Sequence, residues 1–384
     1  MINPANAVGA IVVAMSGGVD SSVAAALLSR EGHNIIGVTL QLWSKPANTP
    51  QRAAPGQNCT AIGDARVVAE RLGIPHYVLD CGVAFDRHVA AHFAAAYQRG
   101  ETPNPCVPCN TWLKFGALLK TARDWGATAL ATGHYARVEY HEPTGRYRLL
   151  RAADQRKDQS YFLYALGQDQ LAAIRFPLGG LTKADTRRLA REFGLPVADK
   201  ADSQQVCFAA GDYRAYLREH LGEAITPGVM RDVGGAARGR HAGLAFYTVG
   251  QRHGLGLGNS RPLYVVALDP VTNEVVVGED SDLWTREVEV AAVNLVAVDH
   301  LPEPLRVRAK IRSGHEPQPA TAHAIQPDRV RLVFDEPQRA VAPGQAAVLY
   351  DDAVPDVVVG GGTICRPNRH AAGATDAPRR SFHE

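Results

Sequence analysis

Over the first two hundred residues, short apolar runs alternate with longer stretches of helix-forming composition. Ala10–Ala14, Ile35–Leu40, Tyr77–Leu79 and Thr128–Ala131 have the length and content of strands. Val19–Arg30, Ala61–Leu72, Asp86–Gln98, Thr111–Trp125 and Lys183–Phe193 have the content of helices. Strand–helix alternation of this kind predicts a parallel sheet covered by helices, with ligands at the carboxyl ends of the strands. Two segments fall at such ends, Ala14–Ser22 and Thr132-Gly133-His134.

From about Pro227 the pattern changes. Strands become short, Gly and Pro frequent, and long helical periods disappear. Leu263–Leu268, Glu274–Val277, Glu287–Val290, Arg306–Arg312, Arg329–Phe334 and Ala346–Leu349 read as strands. The fold class expected is α/β: a Rossmann-like parallel-sheet domain over residues 1–212, then two small β-rich domains. These are a linking domain at 213–282 and a barrel-like domain at 283–366, followed by a disordered tail at 367–384. Ser44–Asn58, rich in Pro, Asn and Gln, reads as a mobile loop.

Composition narrows the class. The 384 residues are 46% hydrophobic and 21% charged, which predicts a folded soluble protein, and two or three domains fit that length. A net charge of +2 gives no global case for nucleic acid, so any basic surface must be local. Ala7–Met15 is too short to span a membrane and has no basic flank, so the expected location is cytoplasmic, with no membrane partner. Six cysteines in a large cytoplasmic chain argue for thiol chemistry or metal rather than disulfides.

The first chemical motif is Ala14-Met-Ser-Gly-Gly-Val-Asp-Ser-Ser22, between a strand and a helix. Paired glycines let backbone N–H groups approach phosphate oxygens, and the helix dipole favours negative charge. Ser16, Ser21 and Ser22 can add hydroxyl donors. Asp20 places a carboxylate among expected phosphates, which a Mg²⁺ ion would reconcile. No Gly-Lys-Ser/Thr occurs, so this is not the common P-loop. The motif instead resembles the PP-loop of ATP pyrophosphatases.

The second motif is Thr102-Pro-Asn-Pro-Cys-Val-Pro-Cys-Asn110. Three prolines stiffen the loop, Cys106 and Cys109 form a Cys-x-x-Cys pair, and a helix is expected to begin at Asn110. A helix N-terminus lowers a cysteine pKa and raises its thiolate fraction. A zinc site would need two further ligands, and there is no second Cys-x-x-Cys. Asp202-Ser-Gln-Gln-Val-Cys207-Phe is a third, weaker signal.

Taken together the motifs resemble the tRNA-specific 2-thiouridylase family, over about residues 8–366. The matching pieces are Met15–Ser22; Thr102-Pro-Asn-Pro; Cys109-Asn110; Ala131-Thr-Gly-His-Tyr-Ala-Arg137; and Lys157-Asp-Gln-Ser-Tyr-Phe162. Asp202-Ser with Cys207-Phe208, Tyr247-Thr-Val-Gly-Gln-Arg252 with Gly254-Leu-Gly, and Arg339-Ala-Val with Pro343-Gly-Gln345 complete the set. The resemblance implies ATP held by Ala14, Met15, Ser16, Gly17, Gly18, Val19, Asp20 and Ser21, with adenosine near Leu40 and Gly133. It implies adenylation of O2 of the wobble uridine and replacement of that oxygen by sulfur. Cys109 would be the nucleophile and Cys207 the persulfide carrier, supplied by a cysteine desulfurase or a relay protein, with sulfide the donor only if a cluster operates. A moving segment around Cys207 would then have to bring the two together. The implied partner is tRNA, held at its anticodon stem-loop by Asn104, Pro105, Cys106, His134, Lys157, Asp158, Gln159, Arg312, Ser313 and Gln345.

Three departures mark the resemblance, of which Gln204-Gln205, where relatives often have an acidic residue or glycine, carries no inference. Many relatives carry an aspartate acid/base where Cys106 stands, and a thiol shuttles protons less readily. Cys106, Cys109 and Cys207 are alternatively three ligands of an iron–sulfur cluster with one open iron. Arg312-Ser-Gly stands where many relatives have an aromatic. On the neighbouring strand Arg306, Arg308, Lys310 and Arg312 alternate with apolar residues, a single cationic face suited to a phosphate backbone. Arg146, Arg148, Arg151, Arg156 and Lys157 form a second basic cluster.

Overall fold

The computed structural model describes residues 7–42, 58–202, 206–208, 212–258, 261–301 and 304–367. The expected mobile loop, apart from Asn58, and the expected tail beyond Pro367 lie outside the described residues, as do Gln204 and Gln205.

Seven strands precede residue 200: β1 (Ile11–Ala14), β2 (Ile35–Gln41), β3 (His76–Asp80), β4 (Ala129–Thr132), β5 (Arg137–His141), β6 (Arg146–Leu150) and β7 (Ile174–Arg175). Five of them form a sheet in the order β3-β2-β1-β4-β7, parallel throughout. Helix α1 (Val19–Arg30) lies on this sheet through Val23, Ala24, Ala25, Ala26 and Leu28, which pack against Ile11, Val13 and Met15. The alanines allow close approach of helix to sheet, and each fully buried Val or Leu contributes about 1.5–3 kcal/mol. β5 and β6 form an antiparallel hairpin that the sequence pattern did not suggest.

Strands β8 (Gly228–Asp232), β9 (Ala237–His241), β10 (Tyr264–Asp269) and β11 (Glu274–Gly278) form a separate sheet, β10-β11-β8-β9. The helix Ala91–Gln98 docks on it through Phe93 and Tyr97, against Met230, Leu244 and Val265. Six further strands close an antiparallel barrel in the order β12-β15-β14-β13-β16-β17. They are β12 (Trp284–Leu295), β13 (Leu305–Lys310), β14 (Gln318–Gln326), β15 (Arg329–Arg339), β16 (Ala346–Asp351) and β17 (Val358–Ile364). In β17 a Cβ on Gly360 would meet the Asn294 carbonyl oxygen at 2.4 Å, and one on Gly362 the Ala291 carbonyl oxygen at 2.5 Å. Glycine there is a condition of barrel closure.

The barrel shares a core with the first domain. Val296, Val348, Tyr350 and Val358 belong to the same apolar cluster as Leu149, Tyr161 and Leu163. The Tyr161 hydroxyl donates to the Ala346 carbonyl at 2.9 Å, and the Asn294 amide donates to the Tyr164 carbonyl at 2.7 Å. The continuous core and these bonds fix where the barrel stands relative to the sheet.

Candidate functional site

The register Ala14↔Thr132 places the carboxyl ends of β1 and β4 side by side. The loop Met15–Gly18 and the segment Gly133-His134 therefore meet. A Cβ on Gly133 would stand 2.6 Å from the Ser21 backbone nitrogen, so only glycine lets β4 come this close to the start of α1. Gly17 has φ +68°, and a Cβ there would stand 2.2 Å from the Ala61 carbonyl oxygen. Met15 and Val19 turn their side chains into the core, which leaves their backbone for a ligand.

The three serines divide their roles. Ser22 is fully buried and donates to the Gly18 carbonyl at 2.8 Å, so it is not the free donor expected from the sequence. Ser21 accepts from the Ser16 N–H at 3.1 Å and bonds the Gly18 carbonyl at 3.2 Å. Ser16 remains the exposed hydroxyl of the loop.

Asp20 is not alone. The Lys183 ammonium donates to its two oxygens at 2.6 and 2.8 Å, and the Tyr135 hydroxyl donates to it at 2.9 Å. Lys183 opens the helix Lys183–Glu192, whose N-cap Thr182 forms a capping box with Asp185. The lysine absent from the loop motif is thus delivered from a distant helix start. The same ammonium lies 2.8 Å from Asp202, which Lys157 and Arg187 also bind at 2.8 and 3.0 Å. Burial works against ionisation of Asp202, but the bonds from Lys157 and Lys183 outweigh it and hold its carboxyl at about 2. Lys200 donates to the Gly17 carbonyl at 3.0 Å.

Among the described residues no three His, Cys, Asp or Glu side chains form a metal-holding group. Mg²⁺ needs only one or two carboxylates beside phosphate oxygens and water. Asp20 and Asp202, on either side of Lys183, fit that requirement. The thiols do not stand as a three-ligand set for an iron–sulfur cluster.

The cysteine helix begins earlier than expected. Asn104 accepts from the Cys106 N–H at 3.1 Å, and helical turns run from Cys106–Pro108 through Cys109–Leu118 to Leu119–Asp124. Cys106, not Asn110, is therefore at the helix start. The middle section is π-helical, a rare geometry frequent at functional sites. Cys106 and Cys207 are solvent-exposed, yet the protein packed around them withholds water: the expected lowering by the helix end is overridden at Cys106, whose thiol is pushed up by desolvation against the pull of Lys114. Desolvation, then the Cys109 and Cys106 charges, push Cys207 up to about 12. The charge of Cys109 acts on both Cys106 and Cys207, so the three thiols belong to one region of the molecule. Phe208 anchors this arrangement with its ring 5.4, 5.1 and 5.0 Å from those of Phe85, Phe93 and Tyr216. Cys81 joins Cys109, Leu40 and Phe208 around the same small core.

Lys114 faces these thiols and was missed in the sequence. It donates to Asn110 Oδ1 at 2.9 Å and lies 3.5 Å from His134 Nε2. His134 is buried, with Nδ1 2.7 Å from Thr132 Oγ1. Burial, then Lys114, keep its imidazole neutral, well below the usual range. A neutral ring accepts from Lys114 at Nε2 and donates to Thr132 from Nδ1.

The residues expected to touch RNA fall into two groups. Lys157, Arg312 and Ser313 reach the surface. Asp158 accepts from Ala152 N and Ser160 Oγ at 3.0 and 2.8 Å, and its side chain is fully buried. Gln159 accepts from Tyr135 N at 2.9 Å, and Gln345 donates to the Thr102 carbonyl at 2.7 Å. Gln345 thereby ties the barrel to the cysteine loop, as does the Thr102 N–H donating to Pro343 at 2.7 Å. Pro105 is the residue before the helix start. The cationic strand face is largely neutralised. Arg306 pairs with Asp335 at 2.8 Å, Arg308 lies 4.0 Å from Asp352, and Lys310 is buried. In the second basic cluster Arg146 pairs with Asp299 and Arg151 is buried.

A parallel-sheet domain with a glycine-serine loop, followed by a small sheet and a barrel, matches three family descriptions in order. Residues 9–211 match the tRNA methyl transferase HUP domain, 214–279 the tRNA methyl transferase PRC-barrel domain, and 285–364 the aminomethyltransferase β-barrel domain. The chain belongs to the tRNA-specific 2-thiouridylase family. It is 51% identical over 356 residues to tRNA-specific 2-thiouridylase MnmA of Moorella thermoacetica, covering 92% of this chain and 98% of that one. Its identity to the Carboxydothermus hydrogenoformans protein of the same name is 48% over 356 residues, covering 92% and 97%. The Koribacter versatilis protein is 47% identical over 367 residues, covering 92% and 98%. Among the described residues no helix is long and apolar enough to cross a membrane.

Proposed function

We propose that this protein is an ATP-dependent tRNA sulfurtransferase that converts the wobble uridine to 2-thiouridine. One observation carries the reading: Gly133-His134 abuts the nucleotide loop at Ser21, Lys114 of the helix that carries Cys109 reaches His134 at 3.5 Å, and Gln345 and Thr102 tie the cysteine loop to the barrel.

ATP would lie over Ala14–Ser21, with its adenosine toward Leu40 and Gly133. Asp20 would hold Mg²⁺ once triphosphate draws Lys183 away, and Lys183 would then neutralise phosphate. Uracil O2 attacks the α-phosphorus, the bond to the β-phosphate oxygen breaks, and pyrophosphate leaves. In-line transfer of this kind needs positioning and charge neutralisation more than covalent help from the protein.

Cys207 carries the incoming sulfur as a persulfide, supplied by a desulfurase, a relay protein or another persulfide donor. The terminal sulfur attacks C2 and AMP departs with the former O2. The Cys109 thiolate then attacks Cys207 Sγ and releases 2-thiouridine. That step leaves a Cys109–Cys207 disulfide, which an external thiol reduces. Cys106, an exposed thiol whose pKa is raised by desolvation within its pocket, stands where it can hand a proton to the leaving group. A cluster held by Cys106, Cys109 and Cys207, the alternative the sequence raised, finds no three-ligand group among the described residues.

The test is nucleoside mass spectrometry of unmodified tRNA incubated with ATP and a persulfide donor. Wild type should form 2-thiouridine with one AMP released per base, and Cys109→Ser and Cys207→Ser should form none while still releasing pyrophosphate. Unchanged thiolation in the double variant would refute the assignment.

A further inference from the structure

Lys114 stands four residues after Asn110 on the helix that carries Cys109. Its ammonium donates to Asn110 Oδ1 at 2.9 Å and lies 3.5 Å from His134 Nε2. Both partners are themselves fixed. Asn110 is 2% exposed, and its Nδ2 donates to the Phe162 carbonyl at 3.1 Å, which leaves Oδ1 for the lysine. His134 is held at Nδ1 by Thr132, and its ring lies 5.8 and 5.9 Å from those of Phe115 and Phe176. A long, rotamer-rich side chain is thus aimed by two buried neighbours.

Both acceptors are neutral, and among the described residues no carboxylate pairs with the ammonium. Its charge is therefore not cancelled by the groups that hold it. A tie between the cysteine helix and His134 needs only a neutral donor; an ammonium adds positive charge. That charge acts on Cys106 and Cys207, drawing both thiols down against desolvation. On its other side His134 follows Gly133, which abuts Ser21 of the nucleotide loop. The ammonium therefore joins the cysteine helix to the segment that meets the nucleotide loop.

We propose that Lys114 is the cation of the sulfur-transfer step, pairing with the terminal sulfur anion of the Cys207 persulfide as it attacks C2. The persulfide first loses its proton to solvent. The new S–C2 bond takes its electron pair from sulfur, the C2–O2 bond breaks, and AMP leaves with O2 and that bonding pair. Lys114 keeps its proton throughout and offsets the negative charge as it passes from sulfur to phosphate. The step rests on the sulfurtransferase reading above; the positive potential at the thiols does not.

Lys114→Met removes the charge at similar length. The first measurement needs no tRNA. Cys106 and Cys207 of the whole protein are alkylated with iodoacetate, an anion, and with iodoacetamide, its neutral counterpart, and the peptides are quantified by mass spectrometry. Both reagents consume the same thiolate, so the ratio of their rates reads local potential alone. The ratio should fall about threefold or more in Lys114→Met and return to within about twofold of wild type in Lys114→Arg. The second measurement uses unmodified tRNA, α-labelled ATP and a persulfide donor. In Lys114→Met, 2-thiouridine formation should fall about a hundredfold relative to pyrophosphate release, with label accumulating on the tRNA as adenylated base. An unchanged alkylation ratio overturns the proposal. Equal losses of pyrophosphate release and thiolation overturn it too, since Lys114 would then serve adenylation or the fold. If Lys114→Met does not fold, Lys114→Gln, which keeps a donor for Asn110, is judged by the same two results. Wild type that forms no 2-thiouridine refutes the sulfurtransferase reading, and the alkylation ratio still decides whether Lys114 is the cation at the thiols.

Discussion

The Lys183 ammonium lies 2.6 and 2.8 Å from the two carboxylate oxygens of Asp20, although 163 residues separate them in sequence. The nucleotide loop is thus held by its counter-ion until a ligand competes for it. Lys183→Met should lower tRNA-dependent pyrophosphate release by two orders of magnitude or more, about 3 kcal/mol of lost charge neutralisation. It should also destabilise the free protein by about 1–3 kcal/mol, since Asp20 and Asp202 are left facing each other. Pyrophosphate release and denaturant melts check the two effects. Wild-type release in the variant would remove Lys183 from the site.

Gly133→Ala should damage nucleotide binding alone. The added methyl would stand 2.6 Å from the Ser21 nitrogen, and backbone must move to admit it. ATP affinity should drop at least about tenfold while tRNA affinity stays within twofold, as measured by calorimetry and filter binding. Equal ATP affinity would show that the β4–α1 contact is slack.

Much of this was legible in the sequence. Helix α1 and the parallel sheet of the first domain follow from apolar runs and one glycine-serine turn, while the order β3-β2-β1-β4-β7 and the short edge strand β7 come only from the structure. Strands β14 and β17 escaped notice because Gln318-Pro-Ala-Thr-Ala is poor in β-branched residues and the Val358–Ile364 run is broken by Gly360-Gly-Gly362. Barrel closure, not local propensity, makes them strands. Lys183 and Lys114 were hidden for another reason. Each is a lone lysine in a helix, and only tertiary packing shows that it points at Asp20 or at the thiols. The cationic face of β13 was legible as a pattern, but the partners Asp335 and Asp352 lie on other strands.

The buried His134 predicts a pH effect. Its folded pKa lies well below the usual 6.5, so below that pH the unfolded chain binds a proton that the folded chain refuses. Its contribution to stability is therefore complete above about pH 6.5 and declines as pH falls below it. The loss should approach 1.4 kcal/mol per pH unit for this one group. His134→Gln should flatten the fall in stability between pH 7.5 and about pH 5.5 in urea melts. An unchanged pH slope would mean that the ring is not held neutral.

Cys106 separates the two sulfur routes. With a persulfide route, iron-free protein turns over, and Cys106→Asp is at least as active as wild type because it restores a carboxylate acid/base. With a cluster, Cys106→Ala loses iron and thiolation together. Pyrophosphate release survives in every cysteine variant on either route. Iron content and thiolation, measured on anaerobically purified protein, decide between them.

The most direct measurement follows a single oxygen. Unmodified tRNA carrying ¹⁸O at C2 of the wobble uracil is incubated with ATP and a persulfide donor, and the AMP is analysed by mass spectrometry. Attack of O2 on the α-phosphorus predicts one ¹⁸O in the AMP phosphate for each 2-thiouridine formed. 2-Thiouridine accompanied by unlabelled AMP, with the ¹⁸O in water, would contradict adenylation of the base and the account built on it.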